Sequence, residues 1–419
     1  MLVGVTGNFS YSQGNSQDIY SDYVLFQKRA RLEKDLKVNI VARAFSQEPD
    51  SNNEYRFESA CKAVSQFLFD NAEIKSGFSK LFVSYNWLQY DTKRAFLEAV
   101  YAVYPHEFAA DITAILTSEH DADLFAMASA YLLRHEASIE NKNLLKIRMV
   151  EQFPGYDTIA ILSELERYIN TYGLQTKHQT PRITTLFKHQ QTLGRKVIYS
   201  FQRWNRDYPG LAVIQHADGG FARDANGRLL VFRQLARSAS DLPYFLTNGS
   251  TPQGVFSLQG TAVSRINWIG PTPNLQMIMP FEDNWEKYFH EPLVPGQDSS
   301  RSYKELLPPA WRNYAPMMEA WRAGSLGRSE IIAHGTTIDP EYYAGKPFYP
   351  LTPTMGCLCA QEQWNVTTGR LLISEQYGLV SAYSASPGKN GYLFVVNVDD
   401  QQKAVTREEV ESWVNSYRK

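Results

Sequence analysis

The sequence predicts a multidomain α+β protein, with a helical N-terminal domain over residues 1–185 and a mostly β domain over residues 196–419. Three observations support this prediction. The chain has 419 residues, which exceeds the size at which a single hydrophobic core usually stops growing. Its first half spaces apolar residues at three- and four-residue steps, as amphipathic helices do. Its second half consists of short apolar runs separated by turn residues, which is typical of strands.

Helices are predicted from about residue 54 to residue 169. The runs "RAFLEAVYAV" and "DLFAMASAYLLRH" show helical spacing, and Asp91 and Asp123 are the expected N-caps. The passages at 97–108 and 145–157 each contain an aromatic residue followed by proline after an amphipathic run. This echo favours α-hairpin repeats. The alternative is a set of helices that share only their end signals.

The pattern changes near residues 171–196, where the apolar period weakens and polar residues accumulate. Strands are then predicted at "KVIYSF", "LAVIQ", "VFSLQG", "LLISEQYG" and "YLFVVNV". A helical insertion is expected at about 301–327, either covering a site or packing on the sheet. Thr406 and Glu409 have the spacing of a capping box, which predicts a terminal helix.

Composition excludes some classes of partner. The chain has 42 basic and 44 acidic residues and a net charge of −2, so it lacks the positive field of proteins that bind nucleic acid or anionic membranes. No apolar run approaches the ~20 residues that span a bilayer. The first residues lack the basic start and apolar run of a secretory signal. If the protein is exported, we expect that a signal peptide has been removed.

Two of the three cysteines lie close together, downstream of a histidine. Cys61, Cys357 and Cys359 are too few and too unevenly placed for a disulfide framework. A thiol becomes a nucleophile when a nearby base takes its proton, and histidine is suited to that role at neutral pH. His334 and Cys357 are therefore candidates for a catalytic pair, with inert packing as the alternative for a buried cysteine.

The local sequence around both residues supports this interpretation. "SEIIAHGT" predicts a strand that ends at His334, and "TPTMGCLCA" predicts a turn that leads into a buried segment. Gly356 permits backbone conformations that other residues resist. Main-chain amides near Met355 could then converge on an oxyanion. Either Asp339 or a main-chain carbonyl is expected to orient the histidine.

These motifs resemble the active-site signature of the L,D-transpeptidase family, cysteine enzymes that cross-link peptidoglycan. In that family a His-Gly step is followed at a distance by Ser/Thr-x-Gly-Cys. Here the corresponding residues are "HGT" at 334–336 and "TMGCLC" at 354–359. The upstream "TPQG" at 251–254 resembles the family's Thr-Pro-x-Gly strand entry. The resemblance covers about residues 196–400 and leaves the helical half outside it.

The resemblance assigns a role to each matching residue. It implies that Cys357 is the nucleophile and His334 is its general base. Thr354, Met355 and Gly356 would form the turn before the nucleophile, with the amides of Gly356 and Cys357 as oxyanion donors.

Further residues are expected to shape the site or bind substrate, and no metal or organic cofactor is implied. Gly335 and Thr336 would form the histidine side of the site. Tyr349 and Arg265 are candidates for lining a peptide groove.

Two positions depart from the family pattern. Cys359 stands where the family usually carries a polar or basic residue, and Met355 stands where the family often has histidine. Cys359 has three interpretations: packing beneath the site, resolution of an oxidised Cys357, and metal binding with His334.

The function expected from the resemblance is an L,D-transpeptidase in the periplasm or cell envelope that acts in cell-wall biogenesis and cell shape. Its Cys357 would form a thioester with a peptidoglycan stem peptide and transfer the acyl group to an amine. The alternatives are an L,D-carboxypeptidase, in which water accepts the acyl group, and an inactive cell-wall binding or scaffold protein. The helical domain is expected to have a protein partner of its own.

Overall fold

The computed structural model describes residues 18–173, 179–292 and 296–417. A helical N-terminal region is followed by a β-rich region, so the predicted order of mixed α and β structure is confirmed. No helix within the described ranges is long and apolar enough to cross a membrane.

The N-terminal region is built from short helices joined by brief loops. One π-helix lies among them, at Asp35–Ala42. The α-helices are α1 (Phe26–Lys34), α2 (Arg43–Phe45), α3 (Glu54–Phe67), α4 (Ala72–Ser84), α5 (Tyr90–Val103), α6 (Ala109–Ile115), α7 (Ala122–His135), α8 (Ile139–Gln152), α9 (Ala160–Thr171) and α10 (Ile183–Leu193). Short 3₁₀ turns occur at Asp22–Val24, Tyr85–Trp87 and Tyr156–Thr158.

Both predicted N-caps in this region were wrong. The cap of α7 is Asp121, whose carboxylate accepts the N–H groups of Asp123 and Leu124. Asp91 likewise lies inside the first turn of α5, where its charge favours the positive end of the helix dipole. The α-hairpin repeat stays a prediction, although α5 and α8 both end immediately before an aromatic residue that precedes proline.

The C-terminal region contains a closed eight-stranded barrel with the order β1-β10-β4-β5-β6-β7-β3-β2. The pairs β1/β10 and β6/β7 are parallel, and the other neighbouring pairs are antiparallel. A separate antiparallel pair joins β8 and β9. The strands are β1 (Arg195–Arg203), β2 (Gly210–Gln215), β3 (Phe232–Leu235), β4 (Gly254–Ala262), β5 (Asn274–Ile278), β6 (Ala333–His334), β7 (Leu358–Ala360), β8 (Glu362–Trp364), β9 (Leu371–Ser374) and β10 (Lys389–Asp399).

Apolar side chains cover both faces of the barrel wall. One buried cluster draws side chains from all eight barrel strands, including Ile198, Phe256 and Leu358, and fills the interior. A second cluster covers the outer face of β1, β2, β4 and β10. Strands buried on both faces have nearly continuous apolar sequences rather than alternating ones, as "YLFVVNV" shows.

Helices pack against the barrel from several parts of the chain. Trp311 and Tyr303, in the predicted insertion, are fully buried on the outer face, so this helical segment packs on the sheet. The helices are α11 (Trp285–Phe289), α12 (Ser299–Glu305), α13 (Pro309–Arg312), α14 (Glu319–Ser325), α15 (Glu375–Ala385) and α16 (Arg407–Tyr417), with 3₁₀ turns at Ala315–Met318 and Pro340–Tyr343. The helix α10 packs in the same outer cluster.

Two sequence predictions for the C-terminal part have different outcomes. The run "LLISEQYG" forms strand only as far as Ser374, because that residue caps α15 through its side chain. The capping box of the terminal helix is confirmed. Thr406 N–H donates to Glu409 Oε2 (2.7 Å), and Glu409 N–H donates to Thr406 Oγ1 (3.3 Å).

A loop between β3 and β4 joins the two regions. Its Leu242, Phe245 and Leu246 are buried in the core of the helical region. In the same loop, Asn248 Nδ2 donates to Glu98 Oε2 on α5 (2.9 Å). The loop therefore belongs to the barrel by connection and to the helical core by packing. We call residues 242–250 the bridging loop.

Removing the Phe245 ring from the core of the helical region should destabilise the protein. Phe245 is 2% exposed, so we expect Phe245→Ala to lower the free energy of unfolding by about 3–5 kcal/mol, as for other buried aromatic residues. Chemical denaturation followed by circular dichroism measures this. Ile266→Ala is the control, since Ile266 is 61% exposed and its loss should change stability by about 0.5 kcal/mol or less. Equal stability of the two variants would contradict the assignment of the bridging loop to the helical core.

Candidate active site

Neighbouring parallel strands place the two candidate catalytic residues close in register. In the β6/β7 ladder, Ala333 pairs with Leu358 and His334 pairs with Cys359. His334 is the last residue of its strand, as the sequence predicted, and the segment after Cys357 is a buried strand. Cys357 precedes β7 by one residue. His334 and Cys357 are thus one diagonal step apart across the ladder.

The Cys357 thiol takes the place of a backbone group where the ladder ends. Ile332 N–H donates to Cys357 Sγ (3.5 Å), and the thiol donates to Glu330 O (3.5 Å). Within the described residues no hydrogen bond joins His334 to this thiol. Hydrogen bonds between catalytic groups are often long before substrate binds, so this separation leaves the pair as a candidate.

His334 is held as a neutral base. It is 5% exposed, and its Nδ1 lies within hydrogen-bond distance of Gly335 O. A carbonyl can only accept, so Nδ1 carries the proton and Nε2 keeps a lone pair. Burial lowers the pKa of His334, which the bond to Gly335 partly opposes. A main-chain carbonyl therefore orients the histidine, while Asp339 pairs with Arg29 instead.

The resting Cys357 is a neutral thiol. Burial raises the pKa of Cys357 to about 11, although the Ile332 N–H and the nearby Arg328 cation both act to lower it. Some of the residue still reaches solvent. Because a thiol with this pKa is protonated at neutral pH, nucleophilic attack would need a base to take its proton.

Internal hydrogen bonds define the turn at residues 354–357, which we call the nucleophile turn. Thr354 Oγ1 accepts from Gly356 N–H (3.1 Å) and donates to Cys357 O (2.8 Å). Gly356 has φ +120°, and a Cβ at this position would overlap the Arg328 guanidinium. The Gly356 amide is therefore already used. The Cys357 N–H, which donates to no other described residue, is the better candidate oxyanion donor.

The upstream Thr-Pro-Gln-Gly segment contacts the same turn. Thr251 Oγ1 donates to Gly356 O (2.8 Å). Gln253 N–H donates to Glu319 Oε2 (2.8 Å), which fixes the segment where β4 begins. The structure thus brings together the three motifs that the sequence analysis had singled out.

Arg328 is a site residue that the sequence analysis missed. Its guanidinium donates to Gly249 O (2.8 Å), Ser250 O (3.1 Å) and Tyr244 O. It makes no ion pair with any described carboxylate. Burial lowers the pKa of Arg328 to about 10, and the Cys357 thiolate would raise it. The surrounding "GSLGRSE" gives no signal that separates this arginine from a solvated one.

Glu362 is a second residue that the sequence analysis missed. Its Oε2 accepts from Thr336 N–H (2.8 Å), and its Oε1 accepts from Ser374 Oγ (2.7 Å). A Cβ at Gly335 would overlap this carboxylate, which explains the glycine. Burial raises the pKa of Glu362 to about 7. Thr336 donates its own hydroxyl to Trp268 O (3.1 Å), so Gly335 and Thr336 shape the backbone beside His334.

Of the other predicted site residues, Met355 belongs to the nucleophile turn, whereas Tyr349 and Arg265 lie outside this cluster. Met355 is 58% exposed and lines a cavity of about 270 Å³ together with Arg328. Tyr349 lines a different cavity, of about 340 Å³, whose lining includes neither His334 nor any residue of the nucleophile turn. Arg265 is exposed in the loop between β4 and β5. The structure therefore gives Tyr349 and Arg265 no place next to the thiol.

Cys359 is fully buried, and its thiol donates weakly to Ala360 O (3.7 Å). Both it and Cys357 are free thiols. Burial raises the pKa of Cys359 well above its usual value. These properties fit the packing interpretation of this residue. Among the described residues, no group of three or more His, Cys, Asp or Glu side chains is placed to hold a metal ion.

No family model, curated protein or solved structure matches this chain.

Replacing the Arg328 cation should change the titration of the thiol. In Arg328→Met we expect the pKa of Cys357 to rise, which slows its alkylation at pH 8–9 by about tenfold for each unit of the rise. Arg328→Lys keeps the positive charge, so the pKa of Cys357 should rise less and alkylation should slow less than in Arg328→Met. Iodoacetamide labelling between pH 7 and 10, located by peptide mass mapping, measures the profile. The control is Arg265→Met, which should match the native chain. Identical profiles for folded Arg328→Met and native chains would contradict the role of the cation.

The buried Glu362 should make stability depend on pH. Its folded pKa of about 7 lies above its ordinary value of 4.5, so the folded state binds more protons than the unfolded state between these pH values. This contribution to stability is present at low pH and is lost as pH rises towards 7. We expect the stability of Glu362→Gln, relative to the native chain, to increase by about 2 kcal/mol between pH 5 and 8.

Urea denaturation at a series of pH values measures this difference. The matched control is Glu48→Gln, because the Glu48 side chain is 80% exposed. A difference between Glu362→Gln and native chains that stays constant with pH would show that Glu362 is ionised in the folded state throughout this range.

Proposed function

We propose that the chain is an L,D-transpeptidase of the cell envelope, which acylates Cys357 with a peptidoglycan stem peptide and transfers the acyl group to an amine. One observation carries the proposal. A free thiol at the end of a strand ladder lies two residues in register from a buried, neutral histidine whose Nδ1 is held by a carbonyl. The proposal also draws on the order of the three motifs in the sequence.

The protonation states suggest how the first step proceeds. Both groups are uncharged at rest, because burial raises the pKa of the Cys357 thiol and lowers that of His334. As Sγ attacks the carbonyl carbon before the terminal D-Ala, its proton would pass to Nε2 of His334. The resulting imidazolium would protonate the leaving amine as the C–N bond breaks. A thioester on Cys357 and free D-Ala are the products.

The second step reverses these roles. The side-chain amine of another stem attacks the thioester, and Nε2 of His334 takes the proton that the amine loses. The C–S bond then breaks as the new amide forms, and the thiol regains its proton. Water in place of the amine would give the carboxypeptidase reaction with the same balance of atoms.

In both steps negative charge develops on the carbonyl oxygen of the substrate, and fixed hydrogen-bond donors are needed to stabilise it. The Cys357 N–H is the available amide in the nucleophile turn, since Thr354 occupies the Gly356 amide. Arg328 supplies a cation near Cys357 from outside the family motif. Its charge supports a working site although position 359 lacks the polar or basic residue that the family usually carries.

Acylation by a carbapenem, which modifies active cysteines of this family, tests the proposal. We expect brief exposure to add one carbapenem mass to the native chain, with no adduct on Cys357→Ala and little on His334→Ala. Cys359→Ala is the matched control, because Cys359 is fully buried and its loss should leave the adduct. Intact-mass spectrometry gives the result. If the reduced native chain stays unmodified, the result would contradict the enzymatic proposal and favour a scaffold role.

A reaction with a stem tetrapeptide, with and without an added amine, separates the two enzymatic outcomes. A product that incorporates the amine supports transfer. Loss of D-Ala with a free tripeptide carboxylate as the sole product, even with the amine present, supports the carboxypeptidase instead.

A further inference from the structure

A cavity of about 270 Å³ lies where the helical region, the bridging loop and the candidate active site meet. Its walls come from α5, α7 and α9, from residues 245–248 and from residues 326–329, and Met355 of the nucleophile turn completes the lining. Ligand sites are frequent at such junctions and usually have volumes of about 300–1,000 Å³. The occupant expected here is therefore small.

Arg94, on α5, brings a cation to this cavity that the protein satisfies only in part. Its side chain is 19% exposed, and its guanidinium makes one long ion pair, of 3.8 Å, with Glu98 Oε2. The same oxygen accepts a shorter hydrogen bond from Asn248 Nδ2 (2.9 Å). Among the described residues Arg94 donates no side-chain hydrogen bond. A guanidinium has five N–H donors, so those of Arg94 are available to a ligand in the cavity.

Arg328 supplies a second cation to the same lining. Its Nη1 and Nη2 donate to three carbonyls of residues 244–250, whereas its Nε donates to no described residue. Asp123, which is exposed and pairs with no described cation, contributes the negative charge. The lining therefore has a net charge of +1, which suits one carboxylate better than a phosphate dianion. The planar guanidinium matches a carboxylate in shape and can bind it through two parallel hydrogen bonds.

We propose that this cavity binds the free C-terminal carboxylate of a short peptide, between Arg94 and Arg328. Because Met355 and Arg328 adjoin Cys357, a peptide held in this way would have its last residue beside the thiol. Arg94 would then select substrates that have a free carboxylate, so the helical region would supply a specificity residue to the candidate site. That the bound peptide is a substrate rests on the proposed function, whereas the carboxylate site does not.

Titration of the full chain with N-acetyl-D-alanine, followed by saturation-transfer NMR, tests this inference. We expect saturable binding, and much weaker binding of N-acetyl-D-alaninamide, which has a similar shape without the charge. Arg94→Met should weaken binding by about tenfold, since hydrogen bonds between charged groups are lost, and Arg94→Lys should weaken it less. Arg31→Met is the matched control, because the Arg31 side chain is 84% exposed on α1 and lies outside this cavity.

Asp123→Asn gives a prediction of opposite sign at an exposed residue, where a conservative substitution should preserve the fold. Removing this negative charge should tighten the binding of N-acetyl-D-alanine severalfold, because the ligand carboxylate no longer meets a like charge. Bound N-acetyl-D-alanine should also slow the alkylation of Cys357 by iodoacetamide. Unchanged alkylation at saturation would contradict the placement of the carboxylate site beside the thiol.

The outcomes separate this inference from the proposed function. If the native chain does not bind N-acetyl-D-alanine while a carbapenem still acylates Cys357, the carboxylate site alone is overturned. Equal affinities of the native chain and folded Arg94→Met, or tighter binding of inorganic phosphate than of N-acetyl-D-alanine, would also overturn it. Binding that depends on Arg94 in a chain that a carbapenem does not acylate would support the site, and only the catalytic proposal would then fail.

Discussion

A half-buried cation near the thiol connects the candidate site to the helical region of the molecule. The Arg328 guanidinium has no carboxylate partner in the described ranges, and three backbone carbonyls of residues 244–250 accept its hydrogen bonds. Hydrogen bonds from a charged donor are stronger than those between neutral groups, so the cation holds these carbonyls in place. They belong to the bridging loop, whose Phe245 is buried in the helical core. The helical region therefore supports the candidate site through the loop, without supplying any of the candidate catalytic residues.

All three motif segments are held by side chains that lie outside the motifs. Each consists mainly of small residues and backbone, and each is held by a buried or half-buried ionisable side chain from elsewhere in the sequence. Arg328 packs against the nucleophile turn, Glu362 accepts a main-chain N–H of the His-Gly-Thr segment, and Glu319 accepts one from the Thr-Pro-Gln-Gly segment. Burial raises the pKa of both carboxyl groups to about 7, so their hydrogen bonds to these amides strengthen as the carboxyls ionise. The motifs therefore depend for their geometry on residues that the motifs do not contain.

This dependence explains which features the sequence could predict. The strand that ends at His334 and the capping box at Thr406 follow from local patterns, because their partners lie within a few residues. Arg328 and Glu362 bond to backbone groups distant in sequence, and a backbone acceptor or donor leaves no trace in residue identity. The N-cap of α7 shows that prediction can fail at short range too. Asp121 and Asp123 are equally suitable as caps by residue type, and only the exact start of the helix distinguishes them.

The protonation states bear on how to interpret the second cysteine. The thiolate is the form that attacks a disulfide and the form that oxidants modify. Burial raises the pKa of both Cys357 and Cys359, so neither is ionised at rest. A resolving role for Cys359 would require ionising a thiol that is fully buried. The lower pKa of Cys357 follows from its Ile332 N–H bond and the nearby Arg328, partners that Cys359 lacks. These properties favour Cys357 over Cys359 for thiolate chemistry and fit a packing role for Cys359.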